Sequence, residues 1–240
     1  MVAGRQDSRR WLDQGTTLVE RAIATMDEQS FADPSAVPGW SRKHVVAHLA
    51  ANAGALGNLV HWAATGVESR MYAAPGFRTL QIETGATRSG DELRQWFGNS
   101  ADELAQAFDG LTADQWRARV VSLQEKDAPA SHIPWVRARE VLVHAVDLDA
   151  GIGFTDLPRD FVAALCEDVV VRRNRVARHP ALRLVADDVD SGVWSIGLVG
   201  AQTSAVRGPL AQLAAYLTGR AFSDVHADDG AAPPTLPPWL

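Results

Sequence analysis

The chain has 240 residues, 46% of them hydrophobic, enough for one large domain or a domain with a smaller partner, folded without covalent staples. Its 29 acidic and 23 basic residues give a formal charge of -6 spread along the chain, so it lacks the basic footprint of a protein that binds nucleic acid or an anionic membrane. One cysteine, Cys166, excludes an internal disulfide and every multi-cysteine metal motif. No apolar run approaches the roughly 20 residues that span a bilayer, and Met1 to Arg10 is polar without an apolar signal core. A cytoplasmic protein with no membrane partner is expected.

From Ser8 to Gln29, Trp11, Leu12, Leu18, Val19, Ala22, Ile23 and Met26 recur at three- and four-residue intervals and predict one amphipathic helix. Pro34, Pro38 and Gly39 place a loop over Phe31 to Trp40. Ser41 then stands as the N-cap of a second helix reaching Thr65, with Gly66 as its stop. Gly66 to Gly90 reads as a long connection carrying Arg70, Arg78 and Arg88, and loops of that length in a compact domain tend to be functional. Each arginine is either a solvated charge or, beside a cavity between helices, a two-pronged grip for a carboxylate.

Leu93, Trp96, Phe97, Leu104 and Phe108 mark a third helix over Asp91 to Asp109. A polar connection through Gln115 and Lys126 leads to Pro134, suited to the first turn of a fourth helix, Trp135 to Leu148. Four long helices predict an antiparallel bundle with a site between facing helices. Past Gly151 and Gly153 the pattern changes. A helix over Leu157 to Arg178, short strands at Ala181–Ala186, Gly192–Val199 and Ala205–Gly208, and a helix over Pro209 to Thr218 predict a small α/β domain. The expected fold is therefore α+β, with a four-helix bundle over 1–152 and the small domain over 153–240. Its proline-rich end reads as an extended strap that Trp239 and Leu240 pin down.

In the fourth helix, Glu140 and His144 lie four residues apart on one face with Asp147 nearby. Such a pair is either a surface contact or two ligands of one metal ion. The flanking Val141, Leu142, Val143, Ala145 and Val146 bury the helix on most sides, and a buried carboxylate needs a partner. The second helix offers a third ligand in His48, on a stripe with His44 and Asn52. His48 is equally readable as a hydrogen-bonded core histidine. His44, one turn from the helix start, is expected to be partly exposed or part of the cap. Asp147 either orients a ligating imidazole, caps the helix end or pairs with an arginine. Three protein ligands would leave a fourth position open, as in catalytic zinc sites.

The Gly39-Trp40-Ser41-Arg42-x-His44-x-x-x-His48-x-Ala50 stretch, Asn58-Leu59-Val60-His61-Trp62, Met71-Tyr72 and Arg137-Ala138-Arg139-Glu140-Val141-x-x-His144-Ala145-Val146-Asp147-Leu148 resemble the mycothiol-dependent maleylpyruvate isomerases of actinobacteria, within the DinB-like thiol enzymes. The resemblance continues through Tyr216-x-x-Gly219-Arg220 to the Pro-Pro-Trp-Leu end. It implies a DinB-like bundle with a divalent metal, usually zinc, on His48, Glu140 and His144, and it puts Arg220 and Arg78 at the substrate. Mycothiol would be the thiol cofactor and a small anion the substrate, in aromatic degradation through gentisate.

On that reading a thiolate adds to the cis double bond of maleylpyruvate, the resulting single bond rotates, and expulsion of the thiolate leaves fumarylpyruvate. Cys166, inside a predicted helix, reads as a buried small hydrophobe, so the thiol must come from outside. The alternatives are a mycothiol S-transferase acting on another electrophile and a non-catalytic metal- or thiol-binding sensor. A monomer or weak oligomer is expected in each case.

Overall fold

The computed structural model of the chain describes residues 4–121, 127–175, 180–197 and 204–239. Four positions named above as ends of elements, Lys126, Arg178, Val199 and Leu240, lie outside the described residues. The chain divides into two compact units between Ile152 and Gly153.

The first unit contains α1 (Arg5–Ala24), α2 (Glu28–Ala32), α3 (Arg42–Thr65), α4 (Phe77–Ala86), α5 (Gly90–Asp109), a two-residue antiparallel pairing of β1 (Arg119–Val120) with β2 (Ala128–Pro129), and α6 (Ile133–Asp147). α1 packs on α6, α6 on α3, α3 on α5 and α5 on α1, which closes a four-helix bundle. Contacts at the helix ends give the directions. Arg9 Nη2, near the start of α1, bonds Asp109 at the end of α5 at 2.8 Å, while Arg94 Nε near the start of α5 donates to Ile23 O at 2.9 Å. Arg42 Nε, at the start of α3, donates to Leu148 O just past α6 at 2.8 Å. α1 and α5 are thus antiparallel, as are α3 and α6. α3 and α5 instead begin at the same end, where Lys43 Nζ donates to Arg88 O at 2.9 Å.

That arrangement explains the long connection. α3 has 24 residues and is about 36 Å long, and the chain must return along all of it before α5 starts. The return passes Asn58, whose side chain donates to Arg70 O at 3.2 Å, and closes at Lys43. Ten of its residues are helical, where a plain loop is expected from its glycines and Pro75. α4 begins after Gly76 in the left-handed region, φ 82°, and docks on α3 through Gly85. A Cβ on Gly85 would lie 2.7 Å from Ala47 Cβ and 2.6 Å from the Trp96 ring, so this close approach fixes the helix that local propensity does not.

The first helix is also shorter than its periodicity suggests. It ends at Ala24, and Asp27 starts α2 by accepting from Ser30 N at 2.8 Å, so Phe31 is a fully buried helical residue and not part of a loop. α3 runs over the expected residues and ends at Gly66, φ 77°. α5 begins with a capping box in which Ser89 N donates to Glu92 Oε2 at 2.8 Å. Pro134 sits in the first turn of α6. At Gly15 the backbones of α1 and α6 come close: a Cβ there would meet Val141 Cγ2 at 2.5 Å.

The second unit contains α7 (Arg159–Asn174), β3 (Leu182–Ala186), β4 (Val193–Ile196), β5 (Ser204–Gly208), α8 (Leu210–Thr218) and β6 (His226–Ala227). The strands form one sheet in the order β4-β3-β5-β6, with β3 and β5 parallel and the outer pairings antiparallel. Leu182, Leu184 and Ala186 alternate into the core, which Phe161, Leu165 and Val169 of α7 and Leu213 of α8 help to fill. The proline-rich end is held to these helices: Tyr216 Oη donates to Pro234 O at 2.6 Å and Arg173 Nη1 to Pro237 O at 3.1 Å. Among the described residues, no helix is long and apolar enough to cross a membrane.

Candidate metal centre

The residues singled out on α3, α4 and α6 converge. His48 Nε2 lies 2.9 Å from Glu140 Oε2, and His144 Nε2 lies 3.6 Å from the same oxygen. The two imidazoles meet edge to face with centroids 4.8 Å apart. One ligand atom from each of the three residues falls within 4.8 Å of the others, the one such cluster of His, Cys, Asp and Glu among the described residues. Two donors at zinc-ligand distance from one tetrahedral ion stand about 3.4 Å apart, close to the 2.9 and 3.6 Å edges that Glu140 shares with the two histidines, and the span of up to 4.8 Å across the set would shorten around a single ion.

The protonation states of His48 and Glu140 suit metal binding. Burial pushes His48 down to about 4 despite its hydrogen bond with Glu140, so the imidazole is neutral at pH 7. Burial alone would raise Glu140, but hydrogen bonds from His144 and His48 hold its carboxyl well below the usual range. His144 is raised: burial lowers it, and its bonds with Asp147 and Glu140 outweigh that. His144 Nδ1 lies 2.8 Å from Asp147 Oδ2, and Asp147 is 1% exposed. This bond puts the Nδ1 proton on the Asp147 side, so Nε2 can coordinate once it gives up the proton it shares with Glu140. The orienting role is thus one of the three readings of Asp147 that its contacts match.

Arg78, the second residue of α4, places Nη2 3.4 Å from His48 Nδ1, so the return segment delivers a guanidinium to the edge of the cluster. Tyr72, half-buried on the same segment, hydrogen-bonds Arg78, and burial raises its phenol above the usual value. Trp40 covers the His48 ring at 5.6 Å between centroids. Tyr72 and Trp40 had no periodic signal, since both sit in irregular backbone; only their places in recurring short motifs marked them. His44 belongs to the helix cap, its Nδ1 accepting from Ser41 N at 3.2 Å.

Arg220 belongs to the second unit, just after α8. Its Nη1 donates to Thr218 O at 2.8 Å and its Cζ lies 5.8 Å from the Trp239 ring centroid. Cys166, also in the second unit, is buried on α7, and burial pushes its thiol up to about 12. It stays protonated and unreactive at neutral pH.

A helical bundle with a His-Glu-His cluster that could hold one metal ion, and an adjacent guanidinium, defines the class of protein. Residues 12–149 match the family model described as the mycothiol maleylpyruvate isomerase N-terminal domain. Two solved structures superpose on the chain with a TM-score of 0.89 at 32% identity, covering 98% of both chains. One is described as the mycothiol-dependent maleylpyruvate isomerase, the other as a histidine-to-alanine mutant of it. Among curated proteins nothing matches. The chain belongs to the mycothiol maleylpyruvate isomerase family.

Proposed function

We propose that the chain is a mycothiol-dependent cis-trans isomerase converting maleylpyruvate to fumarylpyruvate, with a divalent metal, zinc by its donor set, on His48, Glu140 and His144. The observation that carries this is the convergence of those three ligands beside Arg78, in a chain that matches the isomerase structures over 98% of its length.

A divalent ion held by the three ligands supplies positive charge that favours the deprotonated form of a thiol beside it. The protein's own groups do the rest. Asp147 fixes the His144 tautomer, and Trp40 shields His48 from water. Arg78 donates to a substrate carboxylate, and in the same position stabilises the enolate charge that appears when a nucleophile adds to the conjugated double bond. Arg220 is the second cation proposed for a dianionic substrate. Because Cys166 is buried and fully protonated, an external thiol is needed, the role assigned to mycothiol.

The test is conversion of maleylpyruvate by zinc-loaded protein with and without mycothiol. Turnover with catalytic thiol, and none without it, is the expected result. No turnover in either case, with zinc verified in place, would overturn the isomerase reading. Arg78→Ala and Arg220→Ala are each expected to retain zinc while kcat/KM falls, by about tenfold to a thousandfold for loss of one charge-stabilising donor.

A further inference from the structure

The stripe His44, His48 and Asn52 on α3 is only partly accounted for by a cap and a ligand. Asn52, 4% exposed, accepts from Arg137 Nη1 at 2.9 Å. The same nitrogen donates to Leu49 O at 2.7 Å. Arg137 is fully buried on α6, one turn before Glu140, and Leu49 directly follows His48. One guanidinium nitrogen therefore ties the helix that carries His48 to the helix that carries Glu140 and His144.

We infer that Arg137 and Asn52 are positioning residues for the metal centre, a polar clasp that sets the register of α3 against α6 so that His48 meets Glu140. The inference rests on the metal-site reading above.

Two further observations separate this role from ordinary stabilisation. Arg137 makes no ion pair among the described residues, and its Nη2 is buried without a hydrogen-bond partner. A buried cation satisfied so incompletely contributes little to stability compared with an apolar side chain of similar volume, so its place in the fold points to register rather than cohesion. The α3–α6 seam also needs such a device. It is packed less extensively than α1–α6 or α3–α5, and its tie from Arg42 to Leu148 O lies past the end of α6, away from Glu140. Two hydrogen bonds from one nitrogen, to a backbone carbonyl and a side chain of α3, are directional where apolar contact is not, and they fix the register one turn from Glu140.

The experiment compares zinc affinity by chelator competition, the visible spectrum of the cobalt-loaded protein, and the melting temperature in Arg137→Met, Arg137→Lys, Asn52→Leu and His144→Ala proteins. Arg137→Met and Asn52→Leu are expected to bind zinc about tenfold to a hundredfold more weakly, with an altered cobalt spectrum; Arg137→Met should melt close to the parent, and Asn52→Leu, which leaves the buried guanidinium with one partner fewer, below it. Arg137→Lys, which restores one cationic nitrogen, is expected to bind more tightly than Arg137→Met. Parent-like affinity and spectrum in both Arg137→Met and Asn52→Leu would overturn the clasp. If Arg137→Met does not fold, Asn52→Leu decides alone. His144→Ala is expected to lose zinc; retention there would overturn the metal site and the clasp with it, whereas retention in the clasp variants only would leave the site standing.

Discussion

The bundle has two seams along α6 that are built in opposite ways. Against α1, α6 presents Val141 and Leu142, and Gly15 lets the backbones close until no side chain fits between them. Against α3, the same helix presents Arg137, Glu140 and His144, and the seam holds charged and polar groups that burial penalises. The dry seam holds the bundle together and the polar one holds the candidate metal ligands. A single helix can serve both because its 3.6-residue period separates the two sets of residues onto different faces.

Substitutions that attack one seam at a time test this division. The largest effect is expected from His144→Ala, which removes a ligand from the polar seam: zinc and activity should disappear together, measured as bound metal and maleylpyruvate turnover, while the far-ultraviolet spectrum stays helical. An active, metal-free variant would break the proposed mechanism. Next is Gly15→Leu in the dry seam, where the added side chain overlaps Val141 and Leu142. A loss of stability of about 1–3 kcal/mol or more is expected in urea unfolding, without a change in the donor set at the metal site.

The smallest effect is expected at a surface tether outside both seams. Glu28 is held below its usual value by its hydrogen bond from Lys43 and then by the backbone N–H of Gly90, which it accepts at 2.6 Å. A carboxylate with a depressed folded-state pKa contributes stability above its unfolded value and loses it as pH falls through the folded one. Glu28→Gln should therefore melt slightly below the parent at pH 7, and the gap should close as pH falls below about 4. A gap independent of pH would show that the carboxylate charge is not what Glu28 contributes.

Much of this architecture was legible in the sequence where a signal is local. Ser41 and Gly66 bound α3 to the residue, Pro134 marks the first turn of α6, and the four-residue spacing of Glu140 and His144 survives intact because a helix fixes it. Three of the small domain's strands were visible from the Asp-Asp and Gly signals that separate them; β6, two residues long, was not. Features set by tertiary contact were not. α4 depends on Gly85 meeting Ala47 and Trp96, residues that sequence spacing cannot bring together, and its glycines argue locally for a loop. The break between α1 and α2 turns on one capping bond at Asp27 inside an otherwise continuous periodic pattern. Asn52 was visible as a polar position on the stripe, but its partner Arg137 lies 85 residues away.

The return of the chain along α3 separates what is fixed from what is replaceable. The ligand helices are locked into the bundle on several sides, so their sequences have little room to drift. The segment over 67–88 is bounded by two independent stop and start signals, the left-handed Gly66 and the Ser89 capping box, and it presents Arg78 and Tyr72 to the cluster from outside the bundle core. It has the anatomy of an exchangeable cassette: provided Gly85 keeps its close fit against Ala47 and Trp96, the rest of the segment can be rewritten while His48, Glu140 and His144 keep their places.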